Sequence, residues 1–417
     1  MREMKDSGIE WIGEIPCDWK LERSQWHLEE VNISNNPIQT NNVLSLTNKL
    51  GVVPYEEKGN QGNKSKENVY EYKLAYPNTI VANSMNILIG SVGLCDYFGC
   101  VSPVYYVFRA KKYNNIKFLN YVFQTVGFQR ELRKYANGIL EIRLRVSSSD
   151  ILKRFIPFPS EIEQQRIAEF LDRACGKIDG LKADIQAQID TLEQYKRSVI
   201  TEAVTHGLNP SAPMKDSGIP WVGQFPTHWT KKKGKYILRY MSKPVKQDDG
   251  VITCFRDGEV TLRSNRREDG FTMADKEIGY QGVDVGDLVV HGMDGFAGAI
   301  GISDSRGKAS PVLNVLNTKQ NKKYIMYYLR SMAYGEVFTA LSTGIRVRSC
   351  DLRWNKLAEL LYPLPPIDEQ NNIVNYIDEQ IARTNEIIAD KKTQIETLDG
   401  YKKSLIYEYV TGKKEVG

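Results

Sequence analysis

Arginine, lysine, asparagine and glutamine side chains recur in short groups along this chain of 417 residues. Such side chains suit contacts with the phosphates and base edges of a nucleic acid. The alternation in "IRLR" and "IRVR" is equally consistent with structural ion pairs, and the run "KKKGKY" with a solvated surface. The candidates are Gln61, Asn63, Lys64, Lys66, Arg143, Arg145, Lys231, Lys232, Arg263, Arg266, Arg267, Arg346 and Arg348.

Residues for catalysis or metal binding do not occur in a recognisable spacing. The four histidines and six cysteines are scattered, which favours reduced, structural thiols and gives no zinc-ligand pattern. The Gly-Lys pair in "GISDSRGKAS" lacks the spacing and the following Ser or Thr of a phosphate loop. No adenine-methyltransferase signature of the Asn-Pro-Pro-Tyr kind is present. We therefore predict no catalytic residue, no metal site and no cofactor bound by this chain.

The net charge of +5 is distributed unevenly. Residues 18–158 contain 18 Lys and Arg against 12 Asp and Glu, and residues 230–360 contain 22 against 15. The stretches 159–207 and 361–417 each carry a net charge of −3. Two basic blocks separated by acidic segments favour two polyanion-binding modules. The start lacks the apolar core of a signal peptide, and no apolar run is long enough for a membrane span, so we expect a cytoplasmic protein.

The chain is a tandem duplication. "MKDSGIEWIGEIPCDW" (residues 4–19) returns as "MKDSGIPWVGQFPTHW" (residues 214–229), with ten of sixteen positions identical. "QIDTLEQYKRSVITEAVT" (residues 188–205) returns as "QIETLDGYKKSLIYEYVT" (residues 394–411). The period of about 206–210 residues is too long for a solenoid and indicates two copies of a complete unit.

Each copy ends in a segment that predicts one long helix. Residues 161–206 contain no proline, and residues 368–413 repeat the pattern. A helix of about 45 residues measures roughly 65–70 Å. In the second helix Thr384 and Lys391 interrupt the apolar seam. In the first helix the seam positions follow steps of three and four residues, with one stutter after Ile185: Ile167, Leu171, Ala174, Ile178, Leu181, Ile185, Ile189 and Leu192. The second helix repeats the pattern with Ile373, Ile377, Ile388, Ile395, Leu398 and Leu405.

An antiparallel pair is the simplest arrangement that buries both seams. The second helix then ends near the start of the chain, and each copy of the repeated peptide forms a corner between a helix end and the next globular block. The corner tryptophans Trp11, Trp19, Trp221 and Trp229 are expected to pack against the helix ends.

The repeated corner, the two divergent basic blocks and the helix openings resemble one family. The openings read P-x-P-x-x-x-E-Q, at Pro157 to Gln164 and at Pro363 to Gln370. Together these features resemble the specificity subunit of type I restriction–modification systems, over essentially the whole chain. One departure is Ser160, where the second copy has Pro366. A second is Leu313-Asn314 against Tyr105-Tyr106, so the two recognition domains need not use the same contacts.

The resemblance implies an α+β fold. Two mixed α/β target-recognition domains are expected at opposite ends of an antiparallel coiled coil, related by a pseudo-twofold internal repeat. The expected segments are the first corner repeat (1–19), recognition domain 1 (20–158), spacer helix 1 (159–207), the linker with the second corner repeat (208–229), recognition domain 2 (230–360), and spacer helix 2 with the C-terminal tail (361–417).

The resemblance also implies a non-catalytic function. Each domain is expected to read one half of an asymmetric, bipartite site in double-stranded DNA, with the half-sites about one to two turns of about 34 Å apart. The helices are expected to dock two methyltransferase subunits, which bind S-adenosylmethionine and methylate adenine at N6, and endonuclease subunits complete the restriction enzyme. The residues expected at the docking surface are Glu163, Gln164, Glu369 and Gln370.

Two alternatives remain open from the residues alone. One is the recognition portion of a fused methyltransferase–nuclease, which would bind S-adenosylmethionine. The other is a coiled-coil assembly scaffold without DNA binding, which would bind its partners independently of salt.

Overall fold

The chain divides into two compact units. A computed structural model describes residues 2–47, 51–58, 68–111, 114–138, 144–266, 278–341 and 352–416. The first unit consists of Met1–Ile185 with Lys392–Gly417, and the second of Gln186–Lys391. Each long helix therefore contributes residues to both units. The boundaries predicted for the individual domains stay predictions.

In chain order, the first copy forms mainly short strands, then three short helices, and then one long helix. Its elements are β1 (Met4–Asp6), β2 (Glu14–Pro16), β3 (Lys20–Arg23), β4 (Leu28–Glu30), β5 (Leu44–Thr47), β6 (Gly51–Pro54), β7 (Lys73–Ala75), β8 (Thr79–Asn83), β9 (Val92–Cys95), β10 (Gly99–Val101), β11 (Tyr105–Ala110), α1 (Ile116–Gln124), α2 (Val126–Arg133), α3 (Ser148–Leu152), β12 (Phe155–Phe158) and α4 (Glu161–His206).

The second copy has a similar order of elements. They are β13 (Met214–Asp216), β14 (Gln224–Pro226), β15 (Thr230–Lys233), α5 (Gly234–Ile237), β16 (Leu238–Tyr240), β17 (Ile252–Cys254), β18 (Val260–Leu262), β19 (Gln281–Val283), β20 (Leu288–His291), β21 (Ile300–Ile302), β22 (Gly307–Ala309), β23 (Leu313–Thr318), α6 (Lys322–Tyr334), α7 (Val337–Ala340), α8 (Trp354–Glu359), β24 (Leu361–Leu364) and α9 (Ile367–Val410).

Both units contain the same antiparallel sheet. Its strand order is β4-β11-β8-β9 in the first unit and β16-β23-β20-β21 in the second. The strand that precedes each long helix pairs with the strand that follows each corner, β12 with β3 and β24 with β15. This pairing places the start of each long helix beside its own recognition domain.

The apolar stretch in residues 116–135 forms two helices, although its pattern resembles one. Thr125 has an extended backbone, with φ −69° and ψ 136°, and ends α1. Its hydroxyl accepts a hydrogen bond from the amide of Phe128 and so caps α2. Capping at Thr125 therefore overrides the helical periodicity, and Phe128 turns back to stack on Phe123 at 4.7 Å.

The long helices are antiparallel in each unit, as predicted. In the first unit Asp179 pairs with Lys402, and Lys182 pairs with Asp399. Residue numbers rise on α4 as they fall on α9, which is the direction of an antiparallel pair.

In the second unit Gln188 accepts a hydrogen bond from Lys391, and Lys196 donates to Asn385 at 2.8 Å. The same order of partners makes this pair antiparallel too.

Eight of the fourteen predicted seam positions are buried, five are half-buried and one is exposed. Ile167, Leu171 and Ile178 lie in the first unit's core, whereas Leu181 is 52% exposed, so its assignment to the seam is wrong. Two packed helices without a third layer leave part of each helix in water, and the neighbouring Lys182 reaches α9 as an ion pair instead. Thr384 is buried, and its hydroxyl donates to the Gln380 carbonyl one turn earlier.

Two of the four corner tryptophans pack at the helix ends. Trp19 and Trp229 are almost fully buried, and they lie beside Gly412 and Gly207, which follow the C-terminal ends of α9 and α4.

The other two corner tryptophans also contact helices of the recognition domains, and their packing against the helix ends stays a prediction. Trp11 packs edge-on against Phe128, and Trp221 donates from Nε1 to the Tyr328 hydroxyl at 2.9 Å. Both contacts are with helices of the recognition domains, because the corner peptide covers the domain as well as the helix end.

The glycines of the long helices provide a test of this packing. Gly412 has φ +70°, and a Cβ there would lie 2.4 Å from Pro16 Cδ. We expect Gly412→Ala to destabilise the first unit by at least about 1 kcal/mol, because the left-handed backbone and the clash both oppose a side chain. We expect Gly180→Ala, in open space inside α4, to stabilise it by about 0.5–1 kcal/mol. Unfolding midpoints in urea for the two variants should shift in opposite directions, and shifts of the same sign would contradict the assignment.

Candidate nucleic-acid interface and its junction with the long helices

The basic run after the second corner is only partly free. Lys231 donates from Nζ to the Ser217 carbonyl and so holds the corner turn. Lys233 and Lys235 both pair with Glu359, and these hydrogen bonds lower the pKa of that carboxyl to about 2. Lys232 is exposed, and among the described residues it has no ion pair. Of the two predicted lysines, Lys232 is therefore available for a ligand and Lys231 has a structural bond.

The hairpin β17–β18 and the turn after it contain two more predicted residues. Arg263 donates from Nε to Thr253 Oγ1 at 3.3 Å. Arg266 pairs with Asp257 and with Glu259, at 3.2 Å from the latter, and it lies over a phenylalanine ring of the same hairpin. Arg266 therefore stabilises the hairpin, and a ligand would have to compete with two carboxylates for it.

Arg145 is exposed, and its backbone pairs with Asn137 in both directions at 2.8 and 2.9 Å. A role for its side chain in binding stays a prediction. The remaining predicted contact residues lie outside the described residues: Gln61, Asn63, Lys64, Lys66, Arg143, Arg267, Arg346 and Arg348.

A tryptophan–glutamate hydrogen bond joins each corner to a long helix. Trp19 donates from Nε1 to Glu163 Oε2 at 2.9 Å, and Trp229 donates to Glu369 Oε1 at 3.0 Å. Both glutamates lie in the first turn of their helix, where the free backbone N–H groups also favour negative charge. The same bond therefore anchors the corner in both units.

A second side chain binds each glutamate, and it differs between the copies. Glu163 pairs with Arg2, whereas Glu369 accepts from Nε2 of His228 at 2.8 Å. The side chains of both glutamates are only about a quarter exposed, with values of 23% and 28%. Each carboxylate already has an indole and a second side-chain partner within its own unit: Arg2 for Glu163 and His228 for Glu369.

Gln164 and Gln370 are fully buried, so the prediction that their side chains dock a partner is wrong. Gln164 accepts at Oε1 from the amide of Asn115 at 3.0 Å and donates from Nε2 to the Pro159 carbonyl at 3.1 Å. Asn115 is the N-cap of α1, so this glutamine ties the recognition domain to the helix opening. In the second unit the equivalent residues are Gln370, Asn321 and Pro365, at 3.0 and 2.9 Å.

A third tie lies two turns further along each long helix. Asp172 accepts from the Tyr121 hydroxyl at 2.7 Å and from Lys117 Nζ at 2.7 Å. Burial, together with the bond to Asp172, raises the pKa of Tyr121, so the hydroxyl stays a donor at neutral pH. The prediction from sequence missed this tie, although each partner recurs 206 residues later, which could have marked these residues as retained in both copies. The second unit contains the same set in Asp378, Tyr327 and Lys323.

The three ties together form what we call the junction latch: Trp19–Glu163, Asn115–Gln164 and Tyr121–Asp172, with their equivalents in the second unit. They fasten the corner, the N-cap of α1 and the body of α1 to α4. Each recognition domain is thereby held to the start of its own long helix by buried or half-buried bonds.

A separate charge network supports the outer part of the second recognition domain. Arg306 binds Asp249 through Nε and Nη2, at 3.0 and 2.8 Å, and also pairs with Asp284. Lys243 bridges Asp284 and the buried Asp287. The hydrogen bonds from Arg306 lower the pKa of Asp249 to about 2. The network therefore fixes the loop before β17 against the strands β19 and β22.

The described residues contain no group of three His, Cys, Asp or Glu side chains that could hold a metal ion. Within the same residues, no helix combines the length and the apolar character that crossing a bilayer requires.

Comparisons with known proteins agree on one family. Residues 27–191 match the model of the type I restriction modification DNA specificity domain. A curated relative, the type I restriction enzyme StySPI specificity subunit of Salmonella potsdam, is 19% identical over 320 residues, which cover 73% of this chain and 67% of that protein.

A solved structure shows the same fold. Its description reads "Structural basis underlying complex assembly and conformational transition of the type I R-M system". The matching chain has a TM-score of 0.67 and 12% sequence identity, and the match covers 96% of this chain and 99% of that chain. The predicted fold class is confirmed. The HsdS subunit from Thermoanaerobacter tengcongensis gives a TM-score of 0.49 at 13% identity, over 96% and 98% of the two chains.

Removing one hydroxyl from the latch should loosen only one recognition domain. We expect Tyr327→Phe to lower the stability of α6 by about 1–2 kcal/mol, because Asp378 loses a buried donor. Native-state hydrogen exchange of the α6 amides should accelerate, while the α1 amides keep their rate. Tyr121→Phe is the matched control and should give the reverse pattern. Equal changes in both helices would contradict independent latches.

The pKa of Asp249 leads to a pH dependence of defined sign. Because this pKa is lower in the folded protein than the ordinary 3.8, the pair with Arg306 stabilises the fold fully above about pH 4, and this stabilisation is lost as the pH falls towards 2. Urea unfolding of the wild type and of Asp249→Asn should therefore differ at pH 5 and converge near pH 2. Asp248→Asn, at an exposed neighbour, should match the wild type throughout. A difference that persists at pH 2 would contradict this assignment.

Proposed function

We propose that the chain is a specificity subunit of a type I restriction–modification system, and that it reads a bipartite DNA site and presents that site to methyltransferase subunits. Specificity subunits are the non-catalytic components of such systems, which agrees with the absence of catalytic motifs from the sequence. The proposal concerns the two half-sites, the docking and the adenine methylation.

One observation supports two half-sites above the others. The junction latch uses the same residue types in both units, whereas the recognition domains that it holds differ in sequence. At the position of Tyr106 in β11 the second copy has Asn314, which is buried and donates to the Val290 and Leu352 carbonyls. Two domains that are anchored alike but differ in sequence suit a site with two different halves.

The charge distribution supports a DNA ligand. Both basic blocks coincide with the recognition domains, while the segments that form the long helices are acidic. Phosphate contacts from Lys and Arg would supply most of the affinity and make it fall steeply with salt. The assembly-scaffold alternative predicts no such dependence, so a salt titration separates the two.

The exposed part of the long helices is the surface that we propose for methyltransferase docking. Tyr195 and Tyr401 occupy the same repeat position and are 46% and 55% exposed. Together with Leu181 they expose apolar area to water. Gln164 and Gln370 on the same helices are buried and cannot reach a partner. Endonuclease subunits would join the same complex. A role on genomic DNA would place the complex in the cytoplasm.

We propose that S-adenosylmethionine binds to the partner methyltransferase subunits. The alternative of a fused methyltransferase–nuclease predicts that this chain binds S-adenosylmethionine itself. Isothermal titration of the purified chain should give no heat of binding, and a stoichiometric signal would favour the alternative.

Genome-wide mapping of N6-methyladenine tests the function directly. We expect one asymmetric, bipartite motif to lose methylation when the gene is deleted and to regain it on complementation. Replacing residues 230–360 by the equivalent domain of another specificity subunit should change one half of the motif only, because the other domain is held by its own latch. Single-molecule sequencing of the three strains measures both effects.

The control is the first recognition domain, residues 20–158, whose replacement should change the other half of the motif. If no motif in the host depended on the gene, co-purification of the chain with a methyltransferase would be tested next. Co-purification would indicate a methyltransferase that is inactive in that host, and its absence would contradict the proposal. If either swap changed both halves, the assignment of one half-site to each domain would be wrong.

A further inference from the structure

A pocket of about 830 Å³ lies inside the second unit, where the long helices meet the recognition domain. Its walls come from α4 and α9 on one side and from α6, α7 and the tip of the β17–β18 hairpin on the other. Three arginines line it: Arg197 from α4, Arg256 from the hairpin and Arg330 from α6. Tyr327 of the junction latch also lines the pocket, but its hydroxyl is bound to Asp378.

Arg330 is held firmly by its neighbours. It donates from Nε to the Tyr334 hydroxyl at 2.9 Å and from Nη2 to the Asp257 carbonyl at 2.8 Å. Gly258 has φ +92°, and a Cβ there would lie 2.5 Å from Nη1 of Arg330, so only a glycine allows this approach. Two of the five guanidinium N–H donors are thus used, and three remain for a ligand.

Arg197 and Arg330 converge on one aromatic ring. Their Cζ atoms lie 5.3 and 5.8 Å from the ring centroid of Tyr334. Within the described residues neither guanidinium has a carboxylate partner, and Arg197 is exposed. By contrast, Arg256 pairs with Asp294 at 2.9 Å.

Two positive charges near one ring repel each other until an anion lies between them. A guanidinium matches the oxygens of a phosphate with two parallel N–H donors, and contact with an aromatic face restricts its motion beforehand. The pocket is therefore already organised for a phosphate group that approaches from solvent.

We propose that Arg197 and Arg330 bind a backbone phosphate of DNA beside the second half-site. This inference rests on the proposed function. The hairpin that fixes Arg330 belongs to the recognition domain, and Arg197 belongs to α4, so one phosphate would be held jointly by the domain and the helix. Such a contact positions the DNA along the protein without reading a base.

The first copy has a different set of residues at these positions. At 206 residues' separation, Arg330, Tyr334 and Arg197 correspond to Gln124, Phe128 and Lys403. Phe128 is fully buried, so its ring is closed to an arginine. The proposed contact therefore belongs to one end of the DNA site only, and the chain supplies its own control position.

Three carboxylates line the pocket. Glu193 pairs with Lys196 and Asp257 with Arg266, whereas Glu336 opposes the ligand. It lines the pocket, is exposed and has φ +56°, and among the described residues it has no ion pair. A carboxylate there repels a phosphate. Its neutralisation should therefore strengthen binding, whereas loss of either arginine should weaken it.

The test is the salt dependence of binding of the full-length chain to a random-sequence DNA duplex, measured by fluorescence anisotropy. We expect Arg197→Gln and Arg330→Gln each to weaken binding about threefold to tenfold and to reduce the slope of log K against log salt by about 0.9. Glu336→Gln should tighten binding. Lys403→Gln, the matched control, should leave both values near those of the wild type.

Each other outcome has its own meaning. A wild-type chain that shows no salt-dependent binding would contradict the proposed function itself. Wild-type binding that Arg197→Gln and Arg330→Gln weaken no more than Lys403→Gln would overturn this inference alone. Unchanged DNA binding with loss of methyltransferase capture would also overturn it, and would assign the pocket to an acidic protein segment. Arg197→Gln alters an exposed side chain, so misfolding does not explain its effect.

Discussion

The hydrogen bond from a corner tryptophan to a glutamate in the first turn of a long helix is the contact on which the rest of each unit depends. Trp19 and Trp229 are almost fully buried, so their indole N–H groups need an acceptor. Glu163 and Glu369 supply it at the helix end where negative charge is favoured. The bond joins the corner, the start of one long helix and the end of the other, because Gly412 and Gly207 lie against the same indole rings.

The two copies differ in contacts that lie outside the junction latch. The junction latch keeps its residue types, whereas one of the other corner contacts has changed. Trp221 donates to the Tyr328 hydroxyl, but the first copy has Val122 at that position, and among the described residues the buried Nε1 of Trp11 has no partner. The first copy therefore tolerates one unsatisfied donor where it lies apart from the latch.

Basic residues separate into two kinds once their partners are known. Lys231 and Arg266 are engaged within the second unit, although their sequence context resembles that of ligand-binding residues. Arg197 and Arg330 lie in unremarkable helical sequence, yet they are left with free donors in a pocket. Charge in a sequence indicates a polyanion ligand in general, but the side chains available to it depend on which carboxylates fold beside them.

The sequence by itself determined the duplication, the two long helices, their antiparallel direction and the resemblance to one family. These features depend on identity at a fixed separation and on apolar periodicity, which are local or repeated patterns. Only the tertiary structure decided that Gln164 is buried, that Leu181 faces water and that Tyr121 reaches Asp172. These features depend on contacts between residues that are far apart in the chain. The residue pattern within one strand or helix does not indicate which distant residues it contacts.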